Sequence, residues 1–167
     1  MSVDLERALL AKIGDLEVTK AKVDFWKSEG DKVVFTNGVF DLLHIGHITY
    51  MAKAADLGDR LVVGLNADSS VKRIKGESRP INDQANRAAL LAALFFVDAV
   101  VVFEEDTPIN LISTLLPDIL VKGSDYTIDT IVGAKEVMAN GGEVKTIDLV
   151  EGYSSTSIIK RIQDQSS

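Results

Sequence analysis

Short apolar runs alternate with stretches of helical period along most of this chain. The runs "KVVFTN" (32–37), "RLVVGLN" (60–66), "DAVVVF" (98–103), "DILVKG" (118–123) and "EVKTIDL" (143–149) read as strands. Several are continuously apolar, as strands covered on both faces are. Between them, "HITYMAKAADLG" reads as a helix capped by Gly58, followed by "NDQANRAALLAALFF", then "TPINLISTLLP" with Thr107 as N-cap and Pro108 at the first helical position, and "DTIVGAKEVMANGG". A last helix is expected from Ser155 or Thr156 to about Gln163. Five strands joined by right-handed helical crossovers predict an α/β fold with a doubly wound, five-stranded parallel sheet over residues 30–167. Residues 1–29 precede the pattern and read as a helical extension: Leu5, Leu9, Leu10, Ile13, Val18, Val23, Phe25 and Trp26 supply apolar positions for packing on the sheet or on a second subunit.

In such sheets ligands sit beyond the carboxyl ends of the strands, where the strand order reverses. Three segments are expected there: "TNGVFDLLHIGH", "VKGSDY" and "VEGYSSTS". The first contains both histidines of the chain, His44 and His47, one helical turn apart. Gly38 and Gly46 permit a tight turn and close backbone approach, and a helix starting near Gly46 points free N–H groups at an anion. Paired imidazoles at that point suit charge developing on a phosphoryl group. Two other readings stand beside this one: polar residues that merely cap a loop, and a metal site built from Asp41, His44 and His47. The turn works against the second, and no cysteine or further histidine completes a nitrogen and sulfur shell.

Charge and composition narrow the partners. The net charge of −7 and pI near 4.8 oppose broad contact with nucleic acid or an anionic membrane. No cysteine, no leader and no membrane span are evident in the 167 residues, so a soluble cytoplasmic protein is expected. Within this acidic chain "VKRIKGESR" concentrates Lys72, Arg73, Lys75 and Arg79, either a solvated surface or a phosphate-facing loop. Arg87 is either an exposed helix residue paired with Asp83 or a phosphate ligand. Asp68 either caps a short helix or sits near a nucleotide, and Ser155, Thr156 and Ser157 supply an N-cap whose helix end is also an anion site.

"TNGVFDLLHIGH" resembles the HxGH signature of the nucleotidyltransferase superfamily, which includes cytidylyltransferases, pantetheine-phosphate adenylyltransferases and, more distantly, class I aminoacyl-tRNA synthetases. "SVKRIKGESRPIND", "FEEDTP", "LLPDILVKGSDY", "KEVMANGGEV" and "YSSTSIIKRI" are similar to the adenylyltransferase half of the bifunctional heptose kinase/adenylyltransferases. The resemblance spans roughly residues 30–162, with Ser124 standing where the family usually has glycine. It implies transfer of AMP from ATP to D-glycero-β-D-manno-heptose 1-phosphate, with Mg2+ as cofactor and a homodimer as the assembly. It assigns catalysis to His44, His47, Lys75 and Arg87, nucleotide binding to Thr36, Asn37, Gly38, Phe40, Gly46, Asp68, Lys72, Ser155, Thr156 and Ser157, and the sugar-phosphate side to Asp41, Lys122 and Asp125. Two alternatives remain: a cytidylyltransferase acting on glycerol 3-phosphate or another polyol phosphate, and a nucleotide-binding module without turnover. A synthetase is excluded by length and charge.

Overall fold

The computed structural model describes residues 4–166. Its helices and strands follow in the order α1 (Leu5–Leu10), β1 (Ile13–Gly14), α2 (Leu16–Ser28), β2 (Val33–Gly38), α3 (Ile45–Ala55), β3 (Arg60–Asn66), α4 (Asp68–Lys75), α5 (Gln84–Ala93), β4 (Ala99–Phe103), α6 (Ile109–Leu115), β5 (Ile119–Gly123), α7 (Ala134–Ala139), β6 (Glu143–Ile147) and α8 (Ser155–Gln165). The sheet is parallel throughout, with strand order β1-β4-β3-β2-β5-β6. It therefore has six strands where the pattern predicts five. The extra one is Ile13–Gly14, paired with Val100 and Val101 at the β4 edge. Two residues are too few to register as a strand by alternation, and neighbouring Leu9 and Leu16 carry the helical period across the gap. Residues 1–3 of the expected helical extension lie outside the described residues.

Alternation along each strand builds one core on each face. Val34, Val63, Val100, Ile119 and Val121 meet Tyr50, Met51 and Ala54 of α3 and Leu91 and Ala92 of α5. Phe35, Val62, Ala99, Val101 and Leu120 meet Val23 of α2, Leu111, Ile112 and Leu115 of α6, and Val137 of α7. The central strands are buried from both sides, which explains their unbroken apolar runs. In contrast, α8 buries none of its side chains.

Several helix ends differ from expectation. α3 closes at Ala55 with Asp56 as its C-cap, so Gly58 is not the cap. A Cβ on Gly58 would lie 2.7 Å from the Lys32 carbonyl oxygen, and this close approach is what requires glycine there. Pro108, not Thr107, occupies the N-cap of α6. The stretch 129–142 is not one helix. Gly133, at φ 84°, separates a short 3-10 turn at Ile128–Thr130 from α7. Among the described residues no helix is long and apolar enough to cross a membrane.

Candidate active site

The chain leaves β2 toward β3 on one side of it, and β5 is added on the other, so the order reverses between β2 and β5. An open cavity of about 620 Å³ lies at the carboxyl ends of these two strands. Asn37, Gly38, Phe40, Gly46 and the two histidines line it from the β2 side; Lys122, Asp125 and Tyr126 from the β5 side; Lys75 and Arg79 from the α4 side; and Tyr153, Ser155 and Thr156 from the start of α8.

His44 occupies the N-cap of α3 without making a side-chain cap bond, and His47 lies in the helix's first turn. Their rings stack with centroids 3.8 Å apart. Gly46 makes room for this: a Cβ there would sit 3.0 Å from the His44 ring. Among the described residues the buried side-chain polar atoms lacking a hydrogen-bond partner are Asn37 Oδ1, His44 Nδ1 and Nε2, and His47 Nδ1, all within one segment and on residues that line the cavity. Buried polar atoms are rarely left this way. Burial lowers the pKa of His44. It lowers that of His47 to about 4, helped by repulsion from His44 and opposed by a hydrogen bond to the Leu42 backbone. Both rings are therefore neutral at pH 7, each able to donate from one nitrogen and accept at the other.

Of the four basic residues in 72–79, two are already engaged. Arg73 bonds Asp106 Oδ1 at 2.8 Å and the Glu104 carbonyl. Arg79 bonds Asp41 Oδ2 at 2.6 Å. Lys75 lines the cavity, whereas Lys72 is exposed and outside its lining. On the opposite wall burial lowers the Lys122 pKa to about 8, partly offset by Asp125. The Lys122 ammonium lies 5.6 Å from the Tyr126 ring centroid.

At α8, Ser154 is the N-cap and forms a capping box with Ser157. Ser155 Oγ donates to the Leu42 carbonyl at 2.9 Å and accepts from the Leu42 N–H at 3.2 Å, tying the helix start to the loop before His44. Thr156, which lines the cavity, is the residue of this trio whose hydroxyl makes no such bond.

Of the other expected ligands, Thr36, Asp68 and Arg87 stand outside the cavity lining, as Lys72 and Ser157 do, and Asp41 borders it with its carboxylate already engaged. Thr36 is buried in the sheet and shares a 2.9 Å hydrogen bond with Tyr50. Asp41 is buried at 1% exposure, and its carboxylate is consumed by Arg79 and by the N–H groups of Ile81 and Asn82 at 2.9 Å each. It holds the 79–82 segment and is not presented to a sugar phosphate. Arg87 is neither exposed nor free to reach a phosphate. It is fully buried, with Nε on the Asn82 carbonyl at 2.9 Å, Nη1 on the carbonyls of Val39 and Asn66 at 2.8 Å, and Nη2 on Asp68 Oδ1 at 2.7 Å. Asp68 pairs with Arg87 through Oδ1 and lies outside the cavity lining, and Ala67, not Asp68, is the N-cap of α4. Tyr153 is a further cavity residue that the sequence patterns above do not single out. It lines the cavity with its ring 6.3 Å from His44, and its place directly before the serine-rich cap was the available signal.

With this geometry in view, the relatives are informative. A cytidylyltransferase-like family profile matches residues 35–161. The bifunctional protein HldE of Histophilus somni is 53% identical over 97% of this chain and 35% of its own length. That of Mesorhizobium japonicum is 60% identical over 83% of this chain and 28% of its own. The chain thus spans about a third of the length of these curated relatives. Among solved structures, the lipopolysaccharide core biosynthesis protein of Thermoplasma volcanium superposes with a TM-score of 0.58 at 33% identity, covering 75% of this chain and all of that one. Pantoate-β-alanine ligase of Francisella tularensis, at 15% identity, 93% and 78% coverage and a TM-score of 0.59, shares the fold. The chain belongs to the cytidylyltransferase-like family of nucleotidyltransferases.

Proposed function

We propose that the protein transfers AMP from ATP to D-glycero-β-D-manno-heptose 1-phosphate, giving ADP-heptose and pyrophosphate. The observation that carries the reading is the set of orphaned polar atoms on Asn37, His44 and His47, gathered at the sheet's reversal point beside Lys75 and the N-terminus of α8. The imidazole N–H groups of this set are satisfied by the oxygens of a bound polyphosphate, whose charge also raises the pKa of the paired imidazoles, whereas Asn37 Oδ1 accepts and suits a hydroxyl or amino donor of the substrates. A sugar phosphate oxygen attacks the α-phosphorus in line, and pyrophosphate leaves. His44 and His47 hold the α-phosphate and the bridging oxygen as charge develops, Lys75 and Thr156 hold the β- and γ-phosphates, and Lys122 meets the acceptor's phosphate from the β5 side. Alignment and charge supply the rate, with no covalent intermediate on the protein.

Mg2+ enters this scheme with the nucleotide. Among the described residues no cluster of three or more histidine, aspartate or glutamate side chains forms a metal site. Asp41 is buried against Arg79, so the carboxylates at the cavity that would hold the ion are Asp125 and the exposed Asp106, which pairs with Arg73 through one oxygen. A donor set this small would suit a strongly hydrated ion, which would supply positive charge to the phosphates. No step assigned to the chain's own residues passes through it.

The relatives' names and the resemblance of 30–162 support heptose as the acceptor; the family's description favours a second reading, transfer of CMP from CTP to a polyol phosphate such as glycerol 3-phosphate. Pyrophosphate release with ATP and CTP crossed against heptose 1-phosphate and glycerol 3-phosphate separates them. Release with ATP and heptose 1-phosphate is expected. Release in the CTP reactions alone overturns the choice of base, and nucleotide binding without release in any pairing points to a module without turnover.

A further inference from the structure

We propose that Arg87 is a positioning residue that sets the orientation of His47 through the Val39–Phe40 peptide. Phe40 is a buried aromatic residue at φ 47°, in the left-handed region that side chains with a Cβ seldom adopt. Such conformations persist where surrounding contacts over-determine them. Here the contact is identifiable. The peptide plane that fixes the φ of Phe40 carries the Val39 carbonyl, and that carbonyl accepts from Arg87 Nη1 at 2.8 Å. The same nitrogen donates to Asn66 at the end of β3, Nε donates to Asn82, and Nη2 to Asp68, so the guanidinium plane is fixed from every side. A planar fork with several fixed partners is something a lysine ammonium cannot reproduce.

The consequence reaches the cavity through the Phe40 ring. One edge lies 3.0 Å from where a Cβ on Gly38 would stand, and the ring packs edge-on against His47, with centroids 5.3 Å apart and planes at 75°. Asp41, the next residue, is locked by Arg79, Ile81 and Asn82. Phe40 is therefore clamped before, behind and above, and the face it presents to His47 is fixed by a cation that does not line the cavity. The role of His47 in turnover rests on the function proposed above; the clamp itself does not.

The test uses Arg87→Lys and the milder Asp68→Asn, which loosens Nη2 while keeping the buried cation. The chain has two histidines, so the imidazole ring-proton signals of the nucleotide-free protein are assigned by comparison with His44→Ala. Both variants are expected to shift the His47 signals while Trp26 fluorescence keeps its folded spectrum. In pyrophosphate release kcat falls, by up to about a hundredfold for a reacting group misplaced by an ångström, with the KM for ATP within about threefold of wild type. If Arg87→Lys does not fold, Asp68→Asn decides. His47 signals unchanged in a folded variant overturn the proposal, and so does a raised KM for ATP with kcat intact, the signature of a direct phosphate contact. A wild type that releases no pyrophosphate sinks the functional reading and leaves the ring signals to judge the clamp.

Discussion

Asp41→Asn is expected to cost stability before it costs substrate binding. The carboxylate is 1% exposed and accepts from Arg79 Nε at 2.6 Å, from Ile81 N–H at 2.9 Å and from Asn82 N–H at 2.9 Å. An amide of the same shape has one oxygen where the carboxylate has two, and its NH2 must face a donor. With the amide oxygen in the Oδ1 position both backbone N–H groups keep their acceptor but Arg79 Nε meets the NH2, and with the amide turned over Asn82 N–H loses its acceptor; either way Arg79, with a side chain 14% exposed, loses its counter-charge. Removing one partner of a buried pair costs about 3 to 5 kcal/mol, and about 3 is the fitting figure where Arg79 keeps some access to water. For a domain of this size that lowers Tm by roughly 6 to 12 °C.

Thermal and urea unfolding of wild type and Asp41→Asn measure this directly. A loss under about 1 kcal/mol, combined with a raised KM for the acceptor, would refute the latch and return Asp41 to the substrate. The pH dependence is a second check. Burial raises the Asp41 pKa, but the Asn82 and Ile81 hydrogen bonds and Arg79 outweigh it, and the net shift is downward. A carboxylate lowered in the folded state stabilises fully above its unfolded pKa of about 3.9 and loses that contribution as pH falls through the lower folded value. The wild type is therefore expected to lose stability relative to Asp41→Asn in that acid range, not between pH 5 and 8.

In nucleotide-free protein the His47 ring should titrate near pH 4, and NMR should show that midpoint rise on adding ATP; a free-state midpoint near 6.5 contradicts the half-buried, neutral pair. His44→Ala and His47→Ala should each lower kcat by on the order of a hundredfold with a smaller change in KM, measured by steady-state pyrophosphate release. Lys122 carries a desolvation cost because its folded pKa, about 8, lies below the unfolded value near 10.4. That cost is complete below pH 8 and gone above about 10.4, so Lys122→Met should be more stable than wild type at pH 7 by on the order of 2 kcal/mol in urea unfolding, lose that advantage by pH 10.5, and bind the acceptor less tightly. Ser154→Ala should cost about 1 kcal/mol through loss of the cap, whereas Thr156→Ala should leave Tm nearly unchanged and raise the KM for ATP.

What could be read along the chain follows from the range of the forces involved. Strands β2 to β6 and most helices were visible because each signals itself through its own apolar period, a property of neighbouring residues. The two histidines stood out through local spacing, and they do meet at one cavity with Lys75, Lys122 and the start of α8. The Asp41–Arg79 and Arg87–Asp68 pairs could not be read this way. Their partners lie 38 and 19 positions apart, and a charged residue carries no mark of whether it will be buried. The same holds for Ser155, whose hydroxyl looks like a phosphate ligand in the sequence but is bonded to Leu42, 113 positions away. In each case a residue expected to face the ligand instead holds the loops that do.

Following a label through the reaction tests the central chemistry most directly. ATP labelled on its α-phosphorus, incubated with the protein, Mg2+ and heptose 1-phosphate, is expected to deliver that label into the sugar nucleotide while the β- and γ-phosphates leave together as pyrophosphate. Label from the γ-phosphorus appearing on the sugar, or release of orthophosphate with ADP, would contradict displacement at the innermost phosphorus, and with it the role given to the paired histidines.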